Sequence, residues 1–367
     1  MRILLFVSAV VIFLSVIVPP VYAQQLQDSQ HRARVEKVAE EGVRTNNGMS
    51  LPYQIVEVTF LDGNLRNKTI TVDHGSLFSI DKDKFVAPGQ TVVVLETTGT
   101  DGAPTFQIID RYRLNLLVPF LVAFAAGVIL LSQWRGIGSI IGMGISLLVI
   151  AKYIVPSILA GHDPLTISIL GSLAIMITTI YLAHGFSRQT TVALAATALT
   201  LLITGILSVF FVHSLHLTGL GSEDAYSLKL GALSIVNFRG LLLGGILIGA
   251  LGVLDDVTTG LTAAVFELYR ANAKLTFIEL MGAGLRVGRE HVSSLVNTLV
   301  LAYAGASLPI FIILVTNPNH YPLWSILNSE LIVEEIVRTL SGSFGLIIAV
   351  PLTTLIASWS LVSTKKK

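Results

Sequence analysis

Seven runs of about twenty mostly apolar residues dominate this sequence, and few folds accept them. They lie near 115–132, 137–158, 165–184, 191–212, 238–254, 293–315 and 343–362. A helix needs about twenty residues to cross the hydrocarbon of a bilayer. The 367 residues are 53% hydrophobic and 13% charged, about half the charged fraction of a soluble domain. These features describe a polytopic α-helical membrane protein of about seven transmembrane helices, with the lipid bilayer as its first partner. The formal net charge is +1 and there is no cysteine. A nucleic-acid partner, disulfides, thiolate catalysis and cysteine metal sites are therefore all unsupported.

Residues 1–23 read as a signal peptide. Arg2 precedes an apolar stretch, and Val21-Tyr22-Ala23 fits a cleavage site; an uncleaved first helix is the alternative. Residues 24–113 have a different texture, with dense charge and alternating apolar positions. YQIVEVTF (53–60), KTITV (68–72), QTVVVLE (90–96) and TFQIID (105–110) read as strands, and RVEKV (34–38) as an opening one. Short strands in so small a segment suggest a closed barrel of OB or SH3 type, because closure removes exposed edges. The expectation is an exported small β domain followed by a transmembrane domain, 114–367.

The positive-inside rule orients the chain. With the β domain outside, the inner connections and the tail carry Arg135, Arg188, Arg270, Lys274, Arg286, Arg289 and Lys365–Lys367. The later outer connections carry Lys229, Arg239 and Arg338. That excess places the amino terminus outside and the carboxyl terminus inside.

The polar residues near the apolar runs are the candidates for chemistry. Asp255 and Asp256 end the stretch GGILIGALGVLDD. Two adjacent carboxylates repel unless a cation, a proton or an arginine lies between them. One reading makes them a cation or proton site. The other makes Asp256 the cap of a new amphipathic helix, in which Leu261, Ala264, Val265 and Leu268 share a face opposite Glu267 and Arg270. Arg286, Arg289, Glu290 and His291 follow, and Asn297 lies deeper among Leu and Val. His291 with the two aspartates and Glu290 makes a metal set without defined geometry. Gly240, Gly244, Gly245, Gly249 and Gly252 have the spacing of close helix packing. GIGSIIGMG (136–144) has the same texture, which suggests that spans 2 and 5 pack together. Thr218–Ser222, TGLGS, lacks the Asp that an intramembrane aspartyl protease carries after such glycines. Phosphate-loop, zinc-protease and nucleophile-elbow motifs are absent as well. The sequence therefore suggests a chain that is not an enzyme and needs no cofactor.

HGFSRQT (184–190), LDDVTTG (254–260) and GREHVSSLVNTLVLAYAGASLP (288–309) together resemble the YibE/F-like family of multispanning bacterial membrane proteins. The resemblance runs over roughly 34–362. It implies a plasma-membrane location and places the family's polar positions on Asp255, Asp256, Glu267, Arg286, Arg289, His291 and Asn297. It implies no established activity. Two functions stay open: a permease or channel-like transporter of a small solute or ion, with spans 2, 5 and 6 as its path, and a non-transporting scaffold or sensor. In the second, the exported β domain binds an envelope partner.

Overall fold

The structure, a computed structural model, describes residues 29–46, 49–75, 80–98, 103–231, 236–316 and 320–363. The expected signal peptide, 1–23, and the lysines of the tail lie outside these residues. The chain divides into two compact units that meet between Gly127 and Val128.

The first unit is built on five antiparallel strands: β1 (Ser29–Asn46), β2 (Met49–Phe60), β3 (Thr69–His74), β4 (Thr91–Thr98) and β5 (Pro104–Arg111). Their order is β3-β2-β1-β4-β5. Alternation turns Val56, Val58, Phe60, Val92 and Val94 to one face, where they form a fully buried core with Ala33 and Val35. Register shifts in β1 after Val35 and Val38 bend the sheet. The edge strands β3 and β5 approach each other but are not paired. The expected closed barrel is thus an open, curled sheet. The β3–β4 connection supplies the reason, because it bridges the two edges. Its Lys84 carbonyl lies 3.3 Å from His74 Nε2 in β3. Its Asp83 carbonyl accepts a 2.9 Å bond from Arg111 in β5.

This sheet should be sensitive to acid. Burial pushes the His74 imidazole below its ordinary value, and nearby Lys84 and Arg111 add to the effect. The bond from the Arg113 side chain holds the Asp110 carboxyl below the usual carboxylate range. At Asp62 burial acts upward, but two bonds from Arg32, at 2.9 and 2.7 Å, outweigh it. All three groups bind fewer protons folded than unfolded, so their contribution is full above the unfolded values and is lost as pH falls. His74 acts first, below about pH 6.5. Thermal unfolding of the sheet, followed by circular dichroism, should shift downward from pH 7.5 to pH 5, and His74→Gln should flatten that dependence.

The second unit is helical. Helix α1 (Leu114–Val149), which belongs to this unit from Val128 onward, runs through a one-turn π segment, Ile150–Ile154, into α2 (Val155–Leu159). Then come α3 (Pro164–His184), α4 (Arg188–Ser214), α5 (Glu223–Leu230) and α6 (Phe238–Ala271). The remainder is α7 (Phe277–Ala306), α8 (Leu308–Thr316), α9 (Leu323–Leu327) and α10 (Glu330–Ser363). Among the described residues, five helical stretches are long and apolar enough to cross a membrane, or six if the bent pair α7–α8 is one span. The longest, Leu114–Leu159, has 46 residues and would measure about 69 Å if straight. It is broken at Gln133, whose φ of 51° and ψ of −132° leave the helical region. A Cβ on Gly136 would meet the backbone of Val128 and Ile129, so the chain after the break lies back against the turn before it. This is the boundary read between the first two apolar runs.

The glycines and aspartates depart from two expectations. Helix α6 does not end at 254. It runs unbroken from Phe238 to Ala271, 34 residues in all, through both aspartates, capped at its start by the Asn237 side chain, which accepts from Gly240 N–H. Leu254, Leu261 and Val265 are buried in one continuous core, so packing carries the helix across the polar pair. The amphipathic segment after 255 is the second half of α6, and Asp256 is no cap. Nor do spans 2 and 5 pack through their glycines. Gly138 and Gly142 face Leu182 and Thr179 of α3. Gly240 and Gly244 face Pro164 and Ser168 at the other end of the same helix.

Candidate functional site

Neighbouring positions on a helix point about 100° apart, so Asp255 and Asp256 cannot share one environment. Asp255 faces α3 beside the Thr179 side chain. Its Oδ1 is buried without a hydrogen-bond partner among the described residues. Asp256 faces the other way, on the side of α6 that also carries Gly260, Ala263, Glu267 and Arg270.

Across from that side lies the tight α3–α4 connection. Gly185 ends α3 with a φ of 75°, and Ser187 caps α4 by accepting a 3.1 Å bond from Thr190 N–H. Phe186 stacks on Tyr181 with ring centroids 4.5 Å apart. This turn presents His184, Gln189 and Thr190 to Asp256 around a cavity of about 520 Å³. Arg135 enters from α1 just after its break. A second cavity, of about 760 Å³, shares Arg135, His184 and Asp256 and extends past Trp134. Glu267 and Arg270 form an ion pair on the wall, whereas Asp256 forms none among the described residues. His184 is within coulombic range of both Arg135 and Asp256. The cavity thus offers a carboxylate without a direct ion pair, an imidazole, a guanidinium and several neutral donors. Such a set can hold a small polar or charged solute, or pass a proton between His184 and Asp256.

The other ends of the same helices hold another polar cavity, of about 560 Å³, lined by Asp163, His213, Lys229, Asn237 and Arg239. From Asn237 to Asp256 is about 28 Å along α6, close to the thickness of bilayer hydrocarbon. Between the two cavities α4 buries a row of hydroxyls: Thr190, Thr197, Thr200, Thr204 and Ser208. Thr197 lies 2.5 Å from Thr258 of α6. Most of the row also bonds back to its own helix, as hydroxyls do inside apolar surroundings. Thr262 of α6 and Ser341, Ser343 and Ser358 of α10 have buried hydroxyls with no partner among the described residues.

The profile of the YibE/F-like protein family matches residues 120–363. The chain belongs to that family. No curated protein and no solved structure matches it. The match contains every residue of the polar cavities and of the hydroxyl row, so the site belongs to the YibE/F-like part of the chain. The strands, to which the resemblance was extended from 34, precede the match.

The remaining candidates do not join Asp256. Helix α7 packs on α10 through Gly284 against Thr354 and Gly288 against Val350, and the same glycines touch Val265 and Leu261 of α6, roughly half a turn away from Asp256. Arg286, Arg289, Glu290, His291 and Asn297 of α7 are exposed, and none forms a hydrogen bond or ion pair among the described residues. A shared metal set of His291, Asp255, Asp256 and Glu290 is thereby ruled out. No group of three or more His, Asp or Glu among the described residues could hold a metal ion. Gly249 faces the Tyr303 hydroxyl, while Gly245 and Gly252 face open space. The TGLGS segment has a structural task. Gly219 N–H donates to Glu330 at 3.1 Å and Gly221 N–H to Glu334 at 3.1 Å, fixing the start of α10. Arg135, His184, Gln189 and Thr190 were not singled out as site residues from sequence, although HGFSRQT marked three of them.

Proposed function

We propose that this protein is a plasma-membrane permease or channel-like transporter of a small solute or ion, with no ATPase of its own. The amino-terminal sheet lies outside and the carboxyl terminus inside, as the excess of inner Lys and Arg indicates. The observation that carries the reading is the pair of polar cavities at opposite ends of α3, α4 and α6, with buried hydroxyls between them. A soluble-facing scaffold has no need of polar groups there, because each buried hydroxyl costs desolvation. The path therefore runs along α4 and α6, with α10 beside it and α7 outside it. Asp256 and His184 bind the cation or proton at the inner end, and Asp255 serves the packing of α6 on α3.

Thermal stability of the detergent-purified protein against a panel of ions and pH values tests this. A ligand at a hundredfold excess over its Kd stabilises the native state by about 2.7 kcal/mol. An ion-specific rise in melting point is expected for wild type and for Asp255→Asn, and is expected to vanish in Asp256→Asn. Flux in proteoliposomes with the same ion should follow that order and survive deletion of residues 24–110. Loss of flux on that deletion, with no ion-specific shift in any form, would instead favour an envelope scaffold acting through its sheet.

A further inference from the structure

Helix α7 carries two opposed faces. Its buried residues, Leu280, Gly284, Gly288 and Leu299, fall on one side. Arg286, Glu290, Ser293 and Asn297 recur at three- and four-residue steps on the other, with Arg289 beside them, and all are exposed. Such a polar face is ordinary in water. At Asn297, inside the apolar run 293–315, it is costly, since an amide without a partner in an apolar medium loses several kcal/mol. Asn297 is the deepest of the set, among Leu295, Val296, Leu299 and Val300.

The apolar segments nearest in character offer no charge to cover this face. Residues 3–27 and 114–131 carry no charged side chain. The exposed faces of α4, at Leu202, Ile206 and Phe210, are apolar. The face does complement itself. It holds both signs of charge one turn apart, Arg286 with Arg289 against Glu290, and none of these forms an ion pair among the described residues. A two-fold axis brings position i of one copy against position j of the other, so arginine meets glutamate twice. An amide has donors and an acceptor and can pair with its own copy, as a buried Asn does between coiled-coil helices. Ser293, between the charges and Asn297, is small enough for close approach.

We propose that α7 is a homodimer interface: a second copy of this chain covers the Arg286–Asn297 face, with Asn297 paired to Asn297 across the axis. The interface lies on the opposite side of α6 from the Asp256 cavity, so each copy keeps its own path.

The absence of native cysteine makes the test direct. Single variants Ser293→Cys and Asn297→Cys, oxidised in native membranes, should give a disulfide-linked species of twice the monomer mass. Leu202→Cys, on the lipid-facing side of α4, should not. Asn297→Leu should weaken the dimer roughly five- to thirty-fold in subunit-counting measurements in nanodiscs, the range expected for one interhelical polar bond. Monomers alone in nanodiscs, or no cross-link at 293 and 297, would overturn the proposal. Adducts with a different polypeptide would overturn it too, because they assign the face to another partner. These readouts do not involve transport, so they stand or fall separately from the function proposed above.

Discussion

Replacing Phe60 by Ala is expected to unfold the sheet while leaving the helices folded. Phe60 is fully buried at the end of β2, and its ring meets His31 edge-on and Phe106 at a tilt, each with centroids 5.6 Å apart. Removing such a ring from a core costs about 3–5 kcal/mol in lost transfer energy and residual cavity. A sheet this small has little to spare, since stabilities of whole domains are only about 5–15 kcal/mol. There is no cysteine, so no disulfide holds the strands if the core fails. Its core is one cluster built from β1, β2, β3, β4 and β5 together, and loss at the centre is felt by all five strands. Limited trypsin digestion reports the outcome directly. Wild type should resist cleavage at Arg32, Arg34 and Lys37 in β1, and Phe60→Ala should be cut there within minutes while a helical fragment persists. Equal resistance of the two forms would mean that Phe60 is not central to that core.

Gly219→Val is expected to be the most damaging single change at the TGLGS turn, costing on the order of 3 kcal/mol or more. Gly219 has a φ of +82°, a conformation that a β-branched residue adopts only under strain. An added Cβ would also strike the carbonyl group of Phe238 and approach Arg239 N to 3.0 Å. Backbone atoms cannot swing aside as a side-chain tip can. The turn would have to move, withdrawing the Thr218 and Gly219 N–H groups from Glu330 and leaving a partly buried carboxylate without its donors. The start of α10 and the start of α6 would loosen together. Scanning fluorimetry in detergent should show a lower melting point by many degrees. Gly245→Ala is the matched control, because a Cβ there meets nothing within 4 Å, and its melting point should hold or rise slightly through better helix propensity. If both variants behave alike, the turn is not what positions α10.

The strands and the apolar runs were legible because burial leaves a local signature. Alternation in YQIVEVTF and QTVVVLE marks strands whatever they pair with. Runs of apolar residues mark helices that seek lipid or each other. Openness of the sheet was not legible, because it depends on one connection, through Lys84 and Asp83, reaching two edges distant in sequence. The continuity of α6 was missed for a related reason. Aspartates look like a helix start when read alone, but Leu254, Leu261 and Val265 are buried by α4, α7 and α10, and that packing outweighs a local capping preference.

Sequence by itself therefore determined the class of the protein, the aspartates of the candidate site and the family to which it belongs. Tertiary structure alone decided which polar residues lie beside them. Asp256 meets His184 and Arg135 because α3, α4 and the broken α1 converge on one face of α6. Arg286 and Asn297, nearer to Asp256 in chain order, are turned away because Gly284 and Gly288 seat α7 against α10 and the Leu261–Val265 side of α6. Spacing along one helix fixes direction within that helix, but only packing between helices fixes which directions meet.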